Sequence, residues 1–156
     1  MSCIIENCAD HEAYYQGIST REMTACDLAL ALEWLNTRIR KNHATAPDFP
    51  ADWLPQTGLA AIARSGTVLA VATLYLDKTS PVAVCGWVVS NLENPNSCSK
   101  KAIELLMLDM QIYAKNQGAK YLLSTFGNKG INHILDQQGF SPGEVCDNKF
   151  IYIGGE

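Results

Sequence analysis

Basic residues are scarce in this chain: 12 Lys and Arg stand against 16 Asp and Glu, for a net charge of −4. A general nucleic-acid binder shows the opposite balance, so nucleic acid is not the expected partner, although a local basic patch is compatible with the count. No apolar run approaches the roughly 18–20 residues of a membrane-spanning helix, so no membrane partner is expected. The opening Met1-Ser2-Cys3-Ile4-Ile5-Glu6 lacks both a basic n-region and a long apolar h-region, so no signal peptide is expected and the expected location is cytoplasmic. Charge is low at 18% and hydrophobic residues reach 47%, which excludes intrinsic disorder. There is no Walker loop, no G-x-S-x-G elbow and no H-E-x-x-H. No glycine occurs between Gly86 and Gly118.

Six cysteines are present: Cys3, Cys8, Cys26, Cys85, Cys98 and Cys146. They form no C-x-x-C pair, so neither a zinc site nor a disulfide framework is expected, despite the nearness of Cys3, Cys8 and His11 in sequence. Reduced thiols in a cytosolic protein are the favoured reading. The 156 residues fit one domain, spanning 1–156. A chain of that size buries roughly 68–70% of its unfolded surface and can build a core without staples.

The hydrophobic pattern predicts a mixed α/β order. Residues 4–8 suggest a first strand. Thr24 stands as an N-cap before Leu28, Leu32, Leu35 and Ile39, whose spacing predicts a helix over 25–40. Residues 42–56 form a long connection with Pro47, Pro50 and Pro55, anchored by Phe49, Trp53 and Leu54. The runs 59–64 and 68–76, joined by Ser65-Gly66-Thr67, predict a hairpin, and 82–90 predicts a third strand of that group. Ile103, Leu106, Met107, Met110 and Ala114 predict a long helix from about 99 to 116, with Leu105, Leu108 and Ile112 widening its apolar face. A strand over 121–126, a short helix over 132–138 ended by Gly139, and final strands at Phe140 and 149–153 complete the order. The strands flanking the long helix should lie parallel, as the crossover rule requires.

From residue 59 to 153 the chain resembles the GNAT superfamily of acyl-CoA-dependent N-acetyltransferases. Two parts carry the resemblance: the strand, polar loop and long helix over 82–116, and the run from Asn128 to Gly139-Phe140, whose spacing matches the Asn…Gly-Phe pattern of that superfamily. The resemblance implies a GNAT-like α/β fold, with a mostly antiparallel central sheet, one splayed parallel strand pair and flanking helices. It implies acetyl-CoA as co-substrate, no metal, and direct transfer of an acetyl group to an amine of a small molecule, peptide or protein.

Carried onto this sequence, the resemblance puts the pantetheine arm along Val88, Val89 and Ser90. It puts the pyrophosphate on the loop holding Asn96, Ser97, Cys98, Ser99, Lys100 and Lys101, with Asn128 beyond the next strand. A helix N-terminus suits an anion physically, because free N–H groups and the helix dipole converge there. Asn96 and Ser99 also read as simple caps, and the lysines as a solvated face. The loop lacks the glycines usual in that superfamily, and Leu135 stands where many members carry a tyrosine that reprotonates the leaving thiolate.

His133, two positions away on a helix, should point elsewhere and reads as a solvent-facing residue. Ser124, Cys85 and Glu93 are the polar candidates for catalysis around the splay. Their plainer readings are a strand hydroxyl, a core thiol and a loop carboxylate. Trp53 and Trp87 are candidates for a substrate wall, while Trp34 falls on a helix core stripe. Asp10, Glu12, Glu22 and Asp27 could attract a cationic amine, or be ordinary surface charge. The alternative function is a catalytically degenerate GNAT-like protein, of the kind a phage or mobile element could carry, serving as a binding or structural module. GNAT dimers form through several surfaces, so a homodimer stays open.

Overall fold

The computed structural model describes residues 15–124 and 129–143. The expected strands at 4–8 and 149–153, the Cys3, Cys8 and His11 group, Asp10, Glu12, Phe126, Asn128 and Cys146 lie outside the described residues.

The chain order is β1 (Ile18–Glu22), α1 (Ala25–Asn42), a short 3-10 turn (Ala51–Trp53), β2 (Gly58–Ala63), β3 (Val68–Leu76), β4 (Val82–Ser90), α2 (Asn96–Asn116), β5 (Tyr121–Ser124) and α3 (Lys129–Gln137). The strands form one sheet in the order β1-β2-β3-β4-β5. The first three pairings are antiparallel and β4 with β5 is parallel, so this is a mixed α/β sheet of the expected kind.

β1 is absent from the sequence reading. Its Ile-Ser-Thr-Arg-Glu carries one large apolar residue, too little for a periodicity, and it becomes a strand by pairing with Leu59–Ala63. Between β1 and α1 the Thr24 expectation holds as a full capping box. The Thr24 hydroxyl accepts from the Asp27 amide at 3.4 Å, and the Asp27 carboxylate accepts from the Thr24 amide at 2.7 Å.

Two layers of core cover the two faces of the sheet. On one face, Leu106, Met107, Met110 and Ala114 of α2 pack on Leu59, Ala61, Leu74, Ala83 and Cys85. On the other, Ala31, Trp34 and Leu35 of α1 pack with Leu54 on Ala60, Val71 and Val89. Alanines at 60, 61, 70, 72 and 83 are fully covered and let both helices approach the sheet closely. The apolar stripe of α2 is narrower than its sequence suggests: Ile112 is exposed, and Glu104 is buried instead, where it accepts from the Tyr15 hydroxyl at 3.4 Å.

Element ends moved for local reasons. Helix α2 begins at Asn96, earlier than expected, with Pro95 at the N-cap at φ −54 and ψ 141. Helix α3 ends at the expected glycine: Gly139 adopts φ +86, its amide donates to Asp136 and the Phe140 amide donates to Leu135. Phe140 is therefore the residue that closes a helix cap and packs on the α2-side core, and the strand expected there is not formed.

Candidate functional site

The pairing of β4 with β5 covers Val82 to Cys85 against Tyr121 to Ser124 and ends at the pair Cys85 and Ser124. Among the described residues, 86–90 of β4 have no partner on that side. An irregularity lies just past the described pairing. Thr73 pairs with Trp87 but Leu74 pairs with Cys85, so Gly86 is an extra, bulged residue.

Strand alternation decides which backbone groups face the open edge. The Asn91 amide donates to the Leu69 carbonyl at 3.3 Å, so residue 91 turns toward β3. In an antiparallel ladder neighbouring residues turn opposite ways. Val88 and Ser90 therefore present their N–H and C=O to the open edge, while those of Val89 are directed at β3 opposite Val71. Of the three residues expected to line this edge, Val89 does not present its backbone to it, and its side chain is core. The Ser90 carbonyl is already engaged: Arg38 of α1 donates to it at 2.8 Å and to the Ser90 hydroxyl at 3.1 Å. Burial lowers the pKa of this guanidinium, and its Nε is buried without a partner.

Beyond the open edge, the chain turns through Asn91–Asn94 into α2. Asn96, Ser97 and Cys98 form the first turn of that helix. No side chain caps it, so the expectation that Asn96 or Ser99 caps it is not met. The Ser99 amide is spent inside the helix on the Pro95 carbonyl at 3.0 Å. The first amides of a helix have no acceptor within it, so those of Asn96, Ser97 and Cys98 are directed outward. Lys100 stands 3.7 Å from Glu104, and Lys101 follows it on the same turn.

The three catalytic candidates are not brought together. Ser124 and Cys85 are paired neighbours, and the buried Ser124 hydroxyl has no hydrogen-bond partner among the described residues. Cys85 is fully buried, and burial pushes its thiol up to about 12, an environment that suits packing better than proton transfer. Glu93 is exposed in the turn before α2, where its amide donates to Asn91. The open stretch of β4 separates it from Ser124 by roughly 16 Å of strand. Leu135 is buried in the core and His133 is exposed.

Trp53 and Trp87 do come together, on the α1 face of the sheet, through two residues the sequence reading did not assign to the site. Phe49 packs edge-on to Trp53 at 5.4 Å and to Trp87 at 4.7 Å. The Tyr75 hydroxyl donates to the Trp53 carbonyl at 2.5 Å and accepts from Trp87 Nε1 at 3.1 Å. Tyr75 ends an apolar strand and carries no motif, so only the cross-strand geometry exposes its part.

Of the acidic set, only Glu22 and Asp27 are among the described residues. Asp27 is buried and held by two hydrogen bonds from Arg21, while Glu22 is exposed. Among the described residues no helix is long and apolar enough to cross a membrane, and no group of three or more His, Cys, Asp or Glu is placed to hold a metal ion.

No protein-family model and no curated protein matches the sequence. Solved structures do match the fold. A structure described as a probable acetyltransferase has a TM-score of 0.63 at 15% identity, over 88% of this chain and 99% of that one. The ribosomal-protein-alanine N-acetyltransferase of Brucella melitensis biovar Abortus 2308 has a TM-score of 0.60 at 11% identity, over 86% and 99%. AAC(6')-Iy, in complex with the bisubstrate analog CoA-S-monomethyl-acetylneamine, has a TM-score of 0.57 at 16% identity, over 86% and 98%. With its five-strand mixed sheet, flanking helices and parallel strand pair, the chain has the fold of the GNAT acetyltransferase superfamily.

Proposed function

We propose that this protein is an N-acetyltransferase that uses acetyl-CoA and transfers the acetyl group directly to an amine, in the cytoplasm. The observation that carries this reading is the bulge in β4 at Gly86, just past its described parallel pairing with β5, next to a helix whose start no side chain among the described residues caps, in a GNAT fold. In this reading Val88 offers its N–H and C=O to the pantetheine arm as an added strand would. The amides of Asn96, Ser97 and Cys98 take the pyrophosphate, with Lys100 and Lys101 adding charge. Asn128 joins the site by resemblance alone.

The neutral amine attacks the thioester carbonyl carbon, and the C–S bond then breaks. The amine proton leaves to water and the thiolate takes a proton. The bulged backbone at Gly86 lies where an amide can polarise the carbonyl oxygen. Ser124, whose buried hydroxyl has no partner among the described residues, is the side-chain donor this reading assigns to the departing sulfur. Positioning two substrates accounts for most of the rate in such a scheme, since effective molarities contribute roughly 7–11 kcal/mol in the best cases.

Calorimetric titration with acetyl-CoA tests the reading. Saturable heat with the wild type and none with Ser97→Arg, at unchanged thermal stability, is the expected result. No heat and no thermal shift at millimolar acetyl-CoA would remove it. A second reading, a module that binds without transfer, is favoured by the burial of Leu135 at the position where an acid is usual. It would replace the first if acetyl-CoA binds and no amine across a broad panel is acetylated.

A further inference from the structure

We infer that the acceptor amine is a monoamine with an aromatic body, seated on the corner made by Phe49, Trp53 and Trp87; this rests on the acetyltransferase reading. The corner stands beside the point of reaction. Trp87 directly follows the bulged Gly86, just past the described pairing of β4 with β5. It lies with Phe49 in the α1-side core, whereas Cys98, at the start of α2, packs on the opposite face. Donor and acceptor would therefore approach the open edge of β4 from opposite sides of the sheet, without competing for room.

The corner is built to hold its shape. The Phe49 amide donates to Asn36 Oδ1 of α1 at 2.7 Å, which ties the proline-bearing connection to the helix. The interplanar angles of Phe49 to Trp53 and to Trp87, 84° and 75°, set two indoles against one ring instead of stacking all three. The polar atoms of the cluster are turned on one another: the Tyr75 hydroxyl occupies both the Trp53 carbonyl and the Trp87 indole N–H. What remains for a ligand is ring surface, with Trp53 36% and Tyr75 39% exposed. Such surface takes a flat apolar body, and an indole face attracts an ammonium.

Charge sets the number of amines. Of the two carboxylates in the connection, Asp48 is paired with Arg40, and Asp52, exposed in the Trp53 turn, has no ion-pair partner among the described residues. Asp27, at the start of α1, is taken by Arg21. Asp77, two residues past Tyr75, accepts from the Thr79 amide and hydroxyl, and the one carboxylate left in the connection matches one ammonium, whereas a polyamine would need several.

Calorimetry with 2-phenylethylamine and with spermidine, on wild type, Trp53→Ala and Trp53→Phe, tests the inference, with thiol release from acetyl-CoA followed in parallel. The Trp53 carbonyl that Tyr75 uses is backbone, so neither substitution removes that hydrogen bond. The expected result is that 2-phenylethylamine binds, that Trp53→Ala weakens it about tenfold, and that Trp53→Phe restores most of the loss. Acetyl-CoA affinity should be the same in all three. Should Trp53→Ala lose cooperative unfolding, Trp53→Leu gives the same reading with the apolar volume kept.

The inference is overturned if 2-phenylethylamine shows no heat at millimolar concentration. Binding indifferent to residue 53, or spermidine as the tighter ligand, overturns it too. Acetyl-CoA titrated into the same samples separates the two ideas. Trp53-dependent amine binding without acetyl-CoA binding would leave the aromatic seat standing and end the transferase reading. Acetyl-CoA binding with spermidine acetylated and 2-phenylethylamine ignored would do the reverse.

Discussion

The ring of Tyr75 fills the space that a side chain on Gly86 would need. A Cβ there would stand 2.9 Å from Tyr75 Cε2, and the ring is held by hydrogen bonds to the Trp53 carbonyl and from the Trp87 indole. Gly86→Ala must therefore push a tethered ring or distort the bulge, and should cost about 1–3 kcal/mol of stability. Urea denaturation in two backgrounds checks the cause. The cost should nearly vanish when Tyr75 is also replaced by Ala, and an undiminished cost would show that the ring is not the obstacle.

Arg38 holds the far end of the same open edge through the Ser90 carbonyl and hydroxyl. Arg38→Met keeps most of the apolar stem and leaves that buried end without its donor, so it should destabilise by about 1–3 kcal/mol. With the transferase reading, the KM for acetyl-CoA should rise several-fold while kcat changes less, because the damage falls on the binding edge and spares the point of transfer. Steady-state kinetics at varied acetyl-CoA would expose the opposite split.

Asp27 ties β1 to α1, and its titration gives a pH signature. Burial alone would raise its pKa. Hydrogen bonds from Arg21, then those from the Thr24 amide and hydroxyl, and the charge of Arg21 outweigh that, so the net shift is downward. A carboxyl with a depressed folded pKa contributes stability above its unfolded value, near pH 4, and loses it as pH falls through the lower folded value. Asp27→Asn should thus be clearly destabilising at neutral pH, by about 2–3 kcal/mol. The difference from wild type should shrink below pH 4. Denaturation curves at several pH values measure it, and a gap that widened in acid would contradict the assignment.

The cysteines sort by environment. Cys85 is buried with its thiol pushed up to about 12, while Cys26 is exposed on the first turn of α1. Iodoacetamide near pH 8 should modify Cys26 in the native protein and spare Cys85 until the chain is denatured. Peptide mass spectrometry reads the two sites separately. Native-state labelling of Cys85 at a rate like that of Cys26 would contradict its burial in the sheet.

Helix α1 was legible because Leu28, Leu32 and Leu35 repeat at helical spacing behind a threonine cap, and α2 because its stripe runs for several turns before Gly118. The hairpin of β2 and β3 was legible from two apolar runs around Ser65-Gly66-Thr67, and the α3 end from Gly139. β1 was not, because Ile18–Glu22 owes its strand to a partner some forty residues away. The site was legible in part. Trp53 and Trp87 stood out by residue type, whereas Phe49, Tyr75 and Arg38 join them only through distances that no local pattern encodes.

The sequence by itself determined the acidic balance, the order of the main helices and strands, and the α3 end at Gly139, because charge count, periodicity and caps are properties of near neighbours along the chain. Only the tertiary structure decided that β4 carries a bulge at Gly86, that Val88 and Ser90 turn away from β3 while Val89 turns toward it, and that Arg38 holds the Ser90 end of the strand. Those features follow from strand register and bulge position, which are set by how residues far apart in sequence pack. The scarcity of basic residues also takes on a shape there. Arg38 lies at the end of the open strand edge, and Lys100 and Lys101 lie on the first turns of the helix beyond it.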